Sequence, residues 1–200
     1  MHLIDTAHVF RFHKSLTEKY GVGTTGALGW KKPEGQQARF KILSGIANLD
    51  DCTVLDAGCG HGDLYAFLCN IYPGVQYSGI EQIPALLEVA FSRYGHLHNA
   101  RFFQGDFENP SLPAADYILA CGALSYRNSD NLFVFKTIEK LFASCKTGLG
   151  FNLLSKTDFA EGLLVAYDPD YIKAYCCTLT DKVILIKDYY EDDFTVFMYH

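Results

Sequence analysis

The chain is short of bases: 17 Lys and Arg stand against 23 Asp and Glu, for a net charge of −6. That deficit removes the usual electrostatic basis for sequence-independent binding to nucleic acid or an anionic membrane. No run of about 18 apolar residues occurs anywhere, so no membrane-spanning helix is expected. The N-terminus, Met1-His2-Leu3-Ile4-Asp5, lacks an apolar stretch followed by small residues, and no secretory signal is expected. Cysteine is not scarce, but CxxC pairs are absent; the seven cysteines are odd in number and lie in apolar or Gly-rich settings. A disulfide framework is therefore disfavoured, and reduced thiols in the cytoplasm are the expectation. His96 and His98 have no third ligand at metal spacing nearby and read as structural or solvated. Internal repeats, low-complexity tracts and linkers are also missing.

What remains is globular: 200 residues, 49% hydrophobic and 20% charged, fit a single core. From residue 53 the pattern alternates between two periods. Residues 53–57 form a short β-type run ending in a glycine cluster. Leu64, Phe67, Leu68, Ile71 and Tyr72 then follow helical spacing up to Pro73-Gly74. Residues 76–81 predict a second strand, and Ile83, Leu86, Leu87, Ala90, Phe91 and Tyr94 a second helix with Pro84 in its first turn. Strands are expected at 100–105, 115–121 and 149–154, with a helix over about 130–145 and another around 169–178. This rhythm implies right-handed crossovers and a parallel sheet covered on both faces. Lys182–Lys187 and Phe194–Tyr199, joined by the acidic turn Asp188 to Asp193, predict a hairpin, so one strand must run antiparallel. Ahead of the sheet, residues 1–49 predict an arm. It has a helix at 6–19, a Gly/Thr-rich loop at 21–29, Trp30, and a helix from about 34 to 48. The expected organisation is an arm packed over a ligand site in a domain spanning 50–200, the two forming one structural unit.

The first strand runs into Asp56-Ala-Gly58-Cys59-Gly60-His-Gly62-Asp63, which opens a helix. Alternate glycines at such a turn let the backbone swing sharply and bring its N–H groups against a ligand. A dinucleotide fingerprint starting at Gly58 needs a small residue at position 63, which is Asp. A carboxylate there would repel a pyrophosphate at the helix N-terminus, and Asp63 would rather cap the helix itself. The P-loop sequence GK[ST] is absent. A cationic, phosphate-free cofactor suits a site flanked by Asp56 and Asp63. Glu81, at the end of the second strand, is placed to accept both ribose hydroxyls, or to cap the following helix. Asp106, after the third strand, is either a turn residue or an acceptor for an adenine amino group, with Phe107 covering the ring.

Acids after strands one, two and three, in that order, resemble the class I S-adenosylmethionine-dependent methyltransferases. The matching residues are Val54–Gly62, Gly79-Ile-Glu81, Gly105-Asp-Phe107 and Asp116–Gly122, and the likeness covers about 50–155. It implies a Rossmann-like seven-stranded sheet in the order 3-2-1-4-5-7-6 with the last strand reversed. It implies S-adenosyl-L-methionine as cofactor, with Gly58, Gly60 and Gly62 lining methionine and ribose beside Asp56 and Cys59. Glu81 with Gln82 would hold the ribose, Asp106 with Phe107 the adenine, and Cys121 with Gly122 would flank the sulfonium. Arg39 is the nearest cation for the methionine carboxylate, or else a solvated helix arginine. Trp30 would close over the site, or belong to the core.

The motifs are nearly silent on the acceptor. The loop after strand four lacks the (Asp/Asn)-Pro-Pro-Tyr signature of amino-group methylation and a Pro-Cys nucleophile. With the acidic balance, a small molecule is the expected acceptor, handled by a monomer or homodimer without nucleic acid or membrane. Tyr126 reads as a base or an aromatic wall, and Arg127 as a partner for an acceptor carboxylate or a surface charge. His8 and His13 reach the pocket only if the arm folds over it. The alternative from another class is a non-catalytic cofactor-binding module assisting a partner protein.

Overall fold

The computed structural model describes residues 3–106, 111–158 and 161–200. Seven strands form one sheet: β1 (Thr53–Ala57), β2 (Gln76–Glu81), β3 (Ala100–Gln104), β4 (Ala115–Ala120), β5 (Cys145–Leu154), β6 (Val183–Ile186) and β7 (Asp193–Tyr199). Their order is β3-β2-β1-β4-β5-β7-β6, with β7 antiparallel to both β5 and β6 and the other pairings parallel. This is the architecture the sequence implies. Among the described residues, six α-helices accompany it: α1 (Leu3–Tyr20), α2 (Pro33–Leu43), α3 (Asp63–Ile71), α4 (Pro84–Tyr94), α5 (Phe133–Ser144) and α6 (Pro169–Cys176).

Strand β1 shows why both faces are covered. Leu55 and Ala57 point into a core shared with Ile138 and Leu141 of α5 and Ile172 of α6. Val54 points the other way, among Phe40 and Leu43 of α2, Leu64 and Leu68 of α3, and Leu87 and Ala90 of α4. A parallel strand buried on both sides is near-continuously apolar rather than alternating, and the buried Asp56 is the exception in β1. The chain leaves β1 toward β2 on one side and reaches β4 on the other. The crevice at this reversal, beyond the C-terminal strand ends, is where open α/β sheets bind ligands.

Several boundaries differ from expectation. The helix expected to reach residue 48 ends at Leu43 and tightens into a 3-10 turn over Ser44–Ile46, with the Ser44 hydroxyl donating to the Lys41 carbonyl. Strand β5 starts at Cys145, because its first residues already pair with β4 across an irregularity. Asp193 belongs to β7 rather than to the acidic turn, and it is buried.

The arm is tied down at specific points. Val9 on α1 packs with Ile83 and Leu86 at the start of α4. The Asp5 carboxylate accepts from the Ser129 N–H (3.2 Å) and hydroxyl (2.7 Å), beyond β4. Within the Gly/Thr-rich loop, Thr25–Leu28 forms a 3-10 turn whose Ala27 N–H donates to the Thr24 hydroxyl oxygen at 3.3 Å.

Candidate active site

The glycine turn is pinned to β2: the N–H groups of Gly58 and Cys59 both donate to the Ile80 carbonyl, at 2.9 and 3.1 Å. Gly60 adopts φ +53°, a left-handed conformation unfavourable for side chains. A Cβ there would stand 2.7 Å from Leu28 Cδ2, so the arm lies directly on the turn. Gly62 meets a packing demand. At φ +76° it is the N-cap of α3, and a Cβ would press on Tyr94 and Phe102, at 3.0 and 3.2 Å. Gly62 does not line the cleft that Gly58, Cys59 and Gly60 line.

Glu81 is 6% exposed and lines that cleft. Its carboxylate accepts from the Gly60 N–H at 3.0 Å and the Ile83 N–H at 2.8 Å, so it braces the glycine turn and the entry to α4 together. Burial raises its pKa, and the backbone hydrogen bonds oppose that rise. Each carboxylate oxygen has more than one acceptor site, so capacity remains for a ligand hydroxyl. Asp56, also in the lining, accepts from the Tyr77 hydroxyl at 2.6 Å, while its Oδ1 is buried without a partner. Burial pushes its pKa up to about 7. Asp63, Asp106, Gln36 and Gln82 add to the acidic and polar lining; Phe107 lies outside the described residues.

Asp63 does not cap α3. It accepts from Arg93 Nη1 (2.9 Å) and Gln36 Nε2 (3.2 Å), and Arg93 also donates to the Gly23 carbonyl (2.6 Å). The charge is thereby spent on joining α2, α3, α4 and the loop after α1. Nothing local in the sequence signals this, because the partners lie far apart along the chain.

Arg39 is likewise committed. Its Nε and Nη2 donate to both Asp193 oxygens, at 2.6 and 2.5 Å, and its guanidinium lies 4.5 Å from the Trp30 ring centroid. It lines a second cavity rather than the cleft of the glycine turn. Arg127 lines neither. Its N–H donates to the Leu163 carbonyl and its Nε to the Gly162 carbonyl, fastening two loops together.

The second cavity, of about 330 Å³, adjoins the first through Leu28, Trp30, Gly122 and Tyr126, which line both. Gly122, at φ +66°, donates its N–H to Asn152 Oδ1 at 2.7 Å. Beside it, burial raises the Cys121 thiol pKa to about 12, which keeps it protonated. Phe12, Tyr190, Leu154 and Leu164 supply apolar wall, and the rim carries the ion pairs Lys31–Asp158 and Lys32–Glu191.

Of the arm histidines, His8 is exposed and His13 is buried. His13 Nδ1 lies 3.1 Å from the Ala27 carbonyl and Nε2 lies 2.8 Å from the Tyr126 hydroxyl. Sequence reasoning missed Leu28, Val9, Ile83 and Leu86 in the cleft wall, and missed His61. The His61 ring, which lines neither cavity, is 1% exposed with neither nitrogen partnered, and burial lowers its pKa to about 4. Apolar residues in a loop or at a helix start carry no distinctive local signal.

A family profile described as a methyltransferase domain matches residues 54–148. No curated protein sequence matches significantly. Among solved structures, magnesium protoporphyrin IX methyltransferase (ChlM) from Synechocystis PCC 6803 with bound SAM superposes with a TM-score of 0.71. The two chains are 15% identical, over 99% of this chain and 98% of that one. The DhpI–SAH complex gives 0.68 at 13% identity over 94% and 93%. Mitomycin 7-O-methyltransferase MmcR gives 0.66 at 16% identity, over 92% of this chain and 59% of that one. At such identities the superpositions speak for the fold. The profile match falls on the strands and turns that build the cleft. No helix of the described residues is long and apolar enough to cross a membrane. Residues 54–148 therefore carry a methyltransferase-domain match, within a fold shared with these methyltransferase structures.

Proposed function

We propose that this protein methylates a small-molecule acceptor seated in the second cavity, by in-line displacement on the sulfonium methyl of S-adenosylmethionine. The observation that carries this reading is the pair of adjoining cavities meeting at Gly122, Trp30 and Tyr126. One has the acids and glycines that suit a cationic nucleoside, and the other is a largely apolar chamber that also holds the buried Arg39–Asp193 pair, with further charges at its rim.

The residues present fit the cofactor. Glu81 and Asp56 are buried acids with unfilled acceptor capacity on the cleft, and Gly58 and Gly60 hold left-handed backbone with no Cβ in the way. Glu81 with Gln82 would bind the ribose hydroxyls, Asp106 the adenine amino group, and Asp56 with Gly58, Cys59 and Gly60 the methionine end. Cys121 and Gly122 would flank the sulfonium. When bound, the cofactor supplies an electrophilic methyl with a good leaving group. The chain's part is to hold the acceptor in line and exclude water. Positioning of this kind is worth up to roughly 7–11 kcal/mol in favourable cases.

Residues 1–49 act as the cover. Leu28 rests on Gly60 and Val9 on Ile83 and Leu86, so the arm must shift to admit the cofactor and then shields it. Arg39 serves the structure and the acceptor chamber through Asp193 and Trp30, rather than the methionine carboxylate. The free thiols among the described residues and the acidic balance fit a cytoplasmic enzyme, monomeric or homodimeric, without nucleic-acid partners. The test is methyl transfer from radiolabelled S-adenosylmethionine into a cell extract split into metabolite and macromolecular fractions. Label in the metabolite fraction supports the reading; label confined to macromolecules overturns it.

A further inference from the structure

His13 comes from the arm and Tyr126 from the loop after β4, 113 positions apart, and they meet where the two cavities join. The tautomer of His13 follows from its partners. The Ala27 carbonyl facing Nδ1 can only accept, so Nδ1 carries a proton. Burial, working against that backbone hydrogen bond, lowers the imidazole pKa below 6.5 and favours the neutral ring. Nε2 is then bare, and at 2.8 Å it accepts the hydrogen of Tyr126. The hydroxyl oxygen of Tyr126 keeps its lone pairs for a hydrogen donated from elsewhere. Phe12 packs edge-on against both rings and fixes their orientation, with centroids 5.2 Å from His13 and 6.5 Å from Tyr126.

We propose that Tyr126 is the group that takes the acceptor's proton, relaying its own to His13, and that the acceptor therefore carries a neutral O–H or N–H at the methylated atom. This rests on the methyltransferase reading above. As the acceptor oxygen or nitrogen bonds to the methyl carbon, the carbon–sulfur bond breaks and its electron pair stays on sulfur, leaving the thioether product. The acceptor's hydrogen passes to Tyr126 Oη, and the phenolic hydrogen passes to His13 Nε2. One positive charge is lost at sulfur and one appears on the imidazole, so the enclosed site keeps its net charge. Tyr126 is the catalytic residue, and His13 positions it and receives the proton. Because His13 lies on α1, the arm that covers the cleft also completes the relay.

Charged and titratable neighbours bear on the pair from several elements. Glu81 of β2 raises and Arg39 of α2 lowers the Tyr126 pKa, while His13 itself lowers that of His61 in the glycine turn. The larger influence on both is burial, which raises Tyr126 and lowers His13. A neutral Tyr126 and an unprotonated His13 near neutral pH are the resting states the relay needs.

Two measurements test it. The first is nitrogen NMR of the protein labelled at histidine, with and without S-adenosylhomocysteine. Expected are a proton on His13 Nδ1, a bare hydrogen-bonded Nε2 that loses its hydrogen-bond shift in Tyr126→Phe, and a titration below pH 6.5. A proton resident on Nε2 near neutral pH would overturn the relay. The second uses labelled S-adenosylmethionine and the metabolite fraction as acceptor source. Tyr126→Phe should lower the rate constant at saturation by about 100-fold or more, the usual reach of general-base catalysis, with unchanged S-adenosylhomocysteine affinity. His13→Gln should lose the acid limb of the pH profile and recover activity as alkali ionises the acceptor directly. Wild-type rates in Tyr126→Phe, or methylation at a thioether or tertiary amine, would overturn the proposal. Absence of label from the metabolites with wild-type protein would instead overturn the small-molecule reading, and the relay with it.

Discussion

Replacing Glu81 by Gln tests the proposed cofactor site at its most connected atoms. The carboxylate accepts two backbone N–H groups, from Gly60 at 3.0 Å and Ile83 at 2.8 Å, and it faces the cleft. Gln has the same shape but only one carbonyl oxygen, so one of those donors loses its partner and meets an amide NH₂ instead. An unpaired buried N–H costs about 1–3 kcal/mol, which sets the expected loss of stability. Hydrogen bonds to a charged group are worth roughly 1.5–3 kcal/mol each. Weakening those to both ribose hydroxyls should cost about 3 kcal/mol of binding, or about 100-fold in Kd. Titration calorimetry with S-adenosylhomocysteine reads the affinity, and urea unfolding of the apoprotein reads the stability. A folded Glu81→Gln protein with wild-type affinity would refute the assignment. A drop in stability alone would mean that the carboxylate only braces the turn.

Other consequences are equally direct. Gly60→Ala places a side chain at φ +53° and against Leu28, so stability should fall by about 1–2 kcal/mol in urea melts. Adding Leu28→Ala should relieve the contact but not the backbone strain; full recovery would contradict that division. Arg39 and Asp193 form a buried bidentate pair, and Asp193→Asn should cost about 3–5 kcal/mol by stranding the guanidinium. Arg39→Met with Asp193→Asn should be milder than that single change, and an additive loss would argue against coupling. Stability against pH separates two buried groups with opposite signs. Asp56, raised from 3.8 to about 7 by burial, gives stability that is present at low pH and lost as pH rises through 7. His61, lowered from 6.5 to about 4, gives stability that is present above 6.5 and lost as pH falls through 4. Relative to the wild type, Asp56→Asn should therefore gain stability with rising pH across that window, and His61→Leu should lose it; parallel curves would contradict both assignments.

The sheet was legible because its information is local. Each strand and helix announces itself by period, and Pro73-Gly74 marks where α3 must end, as it does at Ile71. The reversed β7 followed from two apolar runs joined by a short acidic turn. The glycine turn and Glu81 were also visible, since they sit at fixed places relative to strand ends. The roles of charged residues were less so. Asp63, Arg39 and Arg127 all have cofactor or substrate chemistry on paper, yet Asp63 and Arg39 are engaged in ion pairs and Arg127 in a loop contact. Whether a charge is free depends on what the fold brings beside it, and Asp193 reaches Arg39 from 154 positions away. Gly62 shows the same limit. Its left-handed turn could be anticipated, but the aromatic rings of Tyr94 and Phe102 that require its missing Cβ could not.

A crystal structure of the complex with S-adenosylhomocysteine addresses the two-cavity arrangement most directly. Adenosine is expected between Glu81 and Asp106, with the thioether sulfur at Gly122 and turned toward the Tyr126 hydroxyl across the opening to the second cavity. Adenosine lodged in the second cavity, or a sulfur walled off from Tyr126, would contradict this arrangement.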